Sequence, residues 1–358
     1  MKNAIVTGSC GLIGSEAVAF LGERGWQITG VDNNMRASFF GANGDTTTNL
    51  KHLLSSRWYT HSTVDVRDRA GIDRLLEETR PDLVFHCAAQ PSHDLAASRP
   101  FDDFEINANG TLNLLEAARR HCPETPFVFM STNKVYGDAP NELELSELKT
   151  RYDYADPADR DGVDETMRID SSMHSIFGAS KTAADLLVQE YGRYFGMPTC
   201  CFRAGCVTGP RHLGAELHGF LAYIARCIRD GIPYRVYGYK GKQVRDNIHS
   251  FDVCTAMLAF AGDPRPAAVY NLGGGRSNSV SLLEAIDALE DTFGRRLDWS
   301  YVEEPRRGDH ICYISDCSRF RTEYPSWEVT IGLEEIFAQL GELRAPPAIA
   351  SGSMVIPS

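Results

Sequence analysis

Lys2-Asn3-Ala4-Ile5-Val6-Thr7-Gly8-Ser9-Cys10-Gly11-Leu12-Ile13-Gly14 opens the chain. Its apolar start reads as a buried strand, and the glycine-rich run after it as a sharp turn. Ala17, Val18, Phe20 and Leu21 then recur at helical spacing as far as Gly25. A second apolar run, Gln27 to Val31, ends on Asp32. Strand, glycine turn, helix, strand and acid in this order form a dinucleotide-binding arrangement. Gly8 lets the chain turn as it leaves the strand. Gly11 has no side chain to keep a pyrophosphate from the amides of Leu12 and Ile13 at the helix start. Gly14 lets the helix lie close to the sheet. Asp32 is placed to accept hydrogen bonds from a ribose diol, with Asn33 beside it. A carboxylate there repels a 2′-phosphate, so the expected cofactor is NAD rather than NADP.

The bulk composition narrows the field. With 358 residues the chain can form one large domain or two coupled ones. A formal charge of −12 argues against a nucleic-acid or membrane surface, although local basic residues can still line one pocket. No early apolar run has a basic flank and a cleavage-like end, and none is long enough to span a bilayer. The ten cysteines show no CxxC pair and no zinc-ligand spacing, so reduced thiols in a cytoplasmic protein, and no metal, are expected. The tail 345–358 is rich in Pro, Ala and Ser and reads as flexible.

Further along, Asn33 to Asn49 has no clear period and reads as a loop. A third strand, Trp58 to Val64, leads to Asp65 and Val66, where an acid can reach an adenine amino group. The fourth strand, Leu83 to Ala89, ends in small residues, Ala88 and Ala89, over which a cofactor can lie. Gln90 follows as a further cofactor candidate and His93 as a substrate candidate. The fifth strand, Phe127 to Met130, runs into Ser131-Thr132-Asn133-Lys134-Val135-Tyr136-Gly137. Helices at Ile72–Glu78 and from Asn107 alternate with these strands. The fold class is therefore α/β, a Rossmann-type doubly wound parallel sheet with ligands at the carboxyl ends of its strands. Arg151 to Ser175 is a long polar insertion. A helix carrying Lys181 and a sixth strand, Thr199 to Ala204, close this part. Beyond it the elements are shorter and mixed, with helices at Leu217–Arg229, Phe251–Ala261, Leu282–Phe293 and Leu333–Leu340. The expected division is an NAD-binding domain, 1–200, and a smaller mixed α/β substrate-binding domain, 201–344. Elements near 245–275 can return to the sheet edge.

Thr7 to Gly14, Asp32, Asp65, Ser131 to Gly137 and Lys181 together resemble the extended short-chain dehydrogenase/reductases that modify nucleotide sugars. Within them, Ser131-Thr132-Asn133-Lys134-Val135-Tyr136-Gly137-Asp138 and Gly241-Lys242-Gln243-Val244-Arg245-Asp246 look like the CDP-tyvelose (CDP-paratose) 2-epimerase branch. The resemblance implies tightly held NAD, transient oxidation of a sugar carbon, and return of the hydride to the other face. It implies that Thr132 hydrogen-bonds the reacting oxygen and that Lys181 binds the nicotinamide ribose. Arg245 and Arg307 would hold a diphosphate, although an Arg in this acidic chain can equally pair with a carboxylate. Cys206 and Glu216-Leu217-His218 would lie near the sugar. A homodimer through Thr111–Arg120 and Ala183–Tyr194 is also implied.

One position departs from the family pattern. Four residues before Lys181, where the motif has Tyr, stands Phe177, which has no proton to exchange. Lys134, Tyr136, His174 or Cys206 could take over that task. Alternatively, the proton steps could be rewired, with an elimination on a nucleoside or unusual nucleotide sugar, or the protein could bind without turnover. Asn133 and Lys134 occupy the places of the Asp-Glu pair of 4,6-dehydratases, which disfavours ordinary dehydration.

Overall fold

The structure, a computed structural model, describes residues 1–212, 219–306 and 308–342. Seven parallel strands form the main sheet: β1 (Asn3–Thr7), β2 (Gln27–Val31), β3 (Tyr59–Ser62), β4 (Leu83–His86), β5 (Phe127–Thr132), β6 (Thr199–Ala204) and β7 (Ala268–Leu272). Their order is β7-β6-β5-β4-β1-β2-β3. The edge strand β7 is the chain's return to the sheet after the smaller elements, in register with β6 from Ala268 against Cys200.

Strand alternation builds two cores at once. Ala4, Val6, Leu83, Phe85, Val128, Met130, Cys200 and Phe202 face one side, with helices α1 (Leu12–Glu23) and Ser250–Gly262. Ile5, Val84, Phe127, Phe129 and Cys201 face the other. That side is covered by α2 (Arg69–Thr79), α3 (Gly110–His121) and α4 (Ile176–Phe195). Both faces are apolar because both are covered, as a parallel sheet requires.

The stretch Asn33 to Asn49 is not a loop. It forms a short helix, Met35–Phe40, a single 3-10 turn and a second helix, Thr47–Leu54. Neither helix has a side-chain cap, and the first has no fully buried residue, so no amphipathic signal marks it. It is held instead by Asn34, at φ +55°, whose amide contacts Asp45, Thr46 and Thr47. The fourth strand is also shorter than its apolar run, since Cys87 to Ala89 leave the sheet beyond His86. The polar insertion is tied down by a hairpin, Leu145–Glu147 with Tyr152–Tyr154, and by Val163 bridging Ser315.

Helices Phe220–Asp230, Leu282–Phe293 and Leu333–Glu342 share a third core with Val236, Val280 and Leu297. Leu213 to His218, including the proposed helix start at Leu217, and the tail 343–358 lie outside the described residues.

Candidate functional site

One cleft crosses the carboxyl ends of the sheet strands, and residues at or just beyond the ends of β1, β2, β3, β4, β5 and β6 all line it. This is the place at which an open α/β sheet binds its ligands. At β1 the turn is forced by contact. Gly8 has φ +65°, and a methyl group there would stand 2.9 Å from the Ala88 amide nitrogen. Gly11 sits at the N-cap of α1 with no side-chain cap, so the amides of Leu12, Ile13 and Gly14 open toward the cleft they line. The macrodipole of α1 adds positive potential at that point.

Asp32 is oriented by two backbone donors, the Cys10 amide at 2.9 Å and the Asn34 amide at 2.8 Å. Each carboxylate oxygen keeps a lone pair for a ribose hydroxyl. Asp65 lines the same end with Asn33 and Val66, but Arg67 forks its carboxylate at 3.0 and 2.8 Å and Asn33 donates at 2.9 Å. Those bonds to Arg67 hold the Asp65 carboxyl below the usual range. Met35, Arg36 and Phe39 of the first short helix also wall this end, and sequence reasoning missed them with that helix. Arg211 closes over the turn by donating to Ser15 O at 2.6 Å.

Ala88, Ala89, Thr132, Phe177 and Lys181 line the other end. The Thr132 hydroxyl accepts from the Lys134 amide at 3.2 Å and points its proton toward Asn133 Oδ1 at 3.3 Å, leaving a lone pair for a ligand. Phe177 and Lys181 stand one turn apart on α4, which is capped by Ser175, whose hydroxyl accepts from the Gly178 amide. Burial pushes the Lys181 ammonium down to about 8.

Several expected site residues are placed elsewhere. Gln90 does not line the cleft. It is fully buried, with its side chain donating to Ser92 O and Asp103 Oδ1, each at 2.8 Å, because it fills the polar cluster behind the wall. Asn133 is likewise buried beside Thr132. Lys134, Cys206 and Arg245 gather in an adjoining cluster around Asp309. Arg245 donates to Asp309 at 2.6 Å, to His310 O at 2.5 Å and to Val244 O at 2.7 Å. The guanidinium is thus paired with a carboxylate, and two of its five N–H groups remain for a phosphate. Lys134 donates to Gly308 O at 3.0 Å and lies 3.6 Å from Asp309. Burial lowers its pKa, and Asp309 partly restores it. Burial alone would raise the Asp309 carboxyl, but Arg245 and Lys134 hold it far below the ordinary range. Arg307, Glu216-Leu217-His218 and the His93 side chain lie outside the described residues.

A parallel sheet with an open helix start, an acid placed for a ribose diol at one end and a hydroxyl and lysine at the other fits a nicotinamide-dependent enzyme of the doubly wound class. The model of the NAD dependent epimerase/dehydratase family matches residues 4–273, and the chain belongs to that family. It is an enzyme, and its cofactor is NAD. CDP-paratose 2-epimerase of Salmonella typhi is 34% identical over 92% of this chain and 96% of its own. A dTDP-glucose 4,6-dehydratase of Xanthomonas campestris is 29% identical over 95% and 92%. The structure of Thermus thermophilus UDP-glucose 4-epimerase in complex with NAD superimposes with a TM-score of 0.76 at 28% identity, covering 95% of this chain and 97% of the other.

Proposed function

We propose that this enzyme epimerises a nucleotide-activated sugar, at carbon 2, through a transient keto-sugar. The observation that carries the reading is one continuous cleft with Asp32 at one end and Thr132 and Lys181 at the other. NAD bound along it supplies an acceptor for the carbinol hydrogen and returns it. Thr132 holds the reacting oxygen, and Arg245 offers its two remaining donors to the diphosphate. Ordinary dehydration has no support at Asn133 and Lys134, because a buried amide and an ion-paired lysine supply neither acid nor carboxylate base. Residues 1–200 with 245–275 carry the cofactor, and 201–344 covers the sugar. The enzyme acts as a homodimer through α3 and α4, on which Leu112, Leu186 and Tyr194 are exposed. It works in the cytoplasm, where its ten free cysteines stay reduced.

The test is isotopic. CDP-, UDP- and dTDP-sugars carrying deuterium at carbon 2 are incubated with the holoenzyme. Product inverted at carbon 2, with label retained and no net NADH, is the expected result. A product lighter by one water, as a dehydratase acting on a nucleotide sugar or nucleoside would give, sinks the reading.

A further inference from the structure

Phe177 and Lys181 share one face of α4 at the reactive end of the cleft, and the ring can neither give nor take a proton. The four other candidates are otherwise engaged. The Tyr136 hydroxyl is buried, donating to Asn271 at 2.7 Å and accepting from Arg203 at 3.3 Å. Both ring nitrogens of His174 face backbone carbonyls, Val135 O at 2.7 Å and Ser172 O at 3.1 Å. Lys134 is paired with Asp309 at 3.6 Å and donates to Gly308 O at 3.0 Å. Burial pushes the Cys206 thiol up to about 11.

Lys181 differs from all of these. It is 3% exposed, it lies 4.0 Å from the Phe129 ring, and its Nζ donates to Met130 O at 2.7 Å. Among the described residues no carboxylate pairs with it directly. Two carboxylates are near, and both are engaged with other donors. Asp185 binds Arg203 at 2.8 and 3.2 Å, Ser131 at 2.5 Å and Gln189 at 2.6 Å. Asp103 accepts from Gln90, Asn107 and Ser180. A buried lysine hydrogen-bonded only to a neutral carbonyl gives up its charge readily, and its two remaining N–H positions are available to the cleft.

We propose that Lys181 itself exchanges the proton with the sugar hydroxyl, in the role that Phe177 cannot fill. This rests on the sugar-oxidation reading given above. In the oxidising half the O–H bond breaks and an N–H bond forms on the neutral Lys181 amine. The hydrogen and two electrons of the C–H bond pass to NAD, so the carbon is oxidised and NAD is reduced. In the return half the C–H bond re-forms on the other face, and Lys181 gives its proton back to the oxygen. The Thr132 hydroxyl, turning its proton from Asn133 Oδ1 to that oxygen, donates to it throughout.

The titratable groups facing Lys181 are Asp185 on its own helix, Cys201 on β6, His86 and Cys87 at β4, and Asp103 on the short helix Pro100–Phe104. The test follows the lysine Cε signals by NMR in ¹³C-lysine-labelled holoenzyme, with Lys181 assigned by its loss in Lys181→Arg. A midpoint near 8 is expected, and a midpoint above about 10, the ordinary lysine value, overturns the proposal. In parallel, wild-type kcat should rise to a plateau through the same midpoint. Lys181→Arg, which keeps the charge but cannot deprotonate, should retain bound NAD and lose about 100-fold in kcat. If it keeps more than about a tenth of wild-type kcat, the proton goes elsewhere. A wild-type enzyme that converts no nucleotide sugar removes the functional reading itself, and this role with it.

Discussion

Gly14→Ala tests the cofactor cradle most directly. The added methyl would stand 2.1 Å from Gly8 O, 2.7 Å from Gly8 C and 2.8 Å from Ser9 Cα. A carbon and a carbonyl oxygen in ordinary contact sit roughly 3.3 Å apart, so the helix start must lift by about 1.2 Å. All three neighbours are backbone, and none can swing aside. Overpacking of this kind costs about 1–3 kcal/mol, and the better helix propensity of Ala offsets roughly 1 kcal/mol of it. Binding suffers more, because the lift carries the Leu12 and Ile13 amides away from the pyrophosphate. One lost hydrogen bond to a charged group is worth about 1.5–3 kcal/mol, or roughly 10- to 150-fold in Kd. Titration calorimetry of NAD into stripped protein reads the affinity, and urea unfolding reads the stability. An affinity within about twofold of wild type would refute the reasoning, since such a change is far below one lost charged hydrogen bond.

Two further outcomes concern pH. Burial drives the His86 imidazole down to about 3 from 6.5, so the stability its neutral form supplies is complete above 6.5 and drains as pH falls toward 3. His86→Gln should therefore show a shallower fall of Tm between about pH 7 and pH 4 than wild type, and an equal slope would remove the role given to burial. Asp246 behaves oppositely. Burial raises its carboxyl to about 6 from 3.8, so its contribution is present below 3.8 and is lost as pH rises through 6. Asp246→Asn should be more stable than wild type by about 3 kcal/mol at pH 8, with the gain vanishing near pH 4, and an unchanged or lower Tm at pH 8 counts against it.

The sheet was legible because a buried parallel strand needs an unbroken apolar run, and Ala4–Val6, Leu83–Phe85 and Phe127–Met130 supply one. The glycine turn and Asp32 were legible because glycines after a strand and an acid closing the next strand form a pattern with fixed spacing. The two short helices between Met35 and Leu54 were not. They are held by Asn34, Asp45 and Thr46 through contacts that leave no periodicity. Lys134, Cys206 and Arg245 were each singled out, but their convergence on Asp309 comes from elements far apart in sequence, which no local pattern encodes. Gln90 was misread because a polar residue after a strand tip looks alike whether it faces the ligand or the cluster behind the wall.

The ion pair of Asp185 with Arg203 anchors α4 to β6 one turn beyond Lys181. Both partners are almost wholly shielded from water, and loss of either leaves the other charge stranded at about 3–5 kcal/mol. The amine is therefore tied to the main sheet through β6, so replacing either partner should move the titration of Lys181 as well as the stability of the fold.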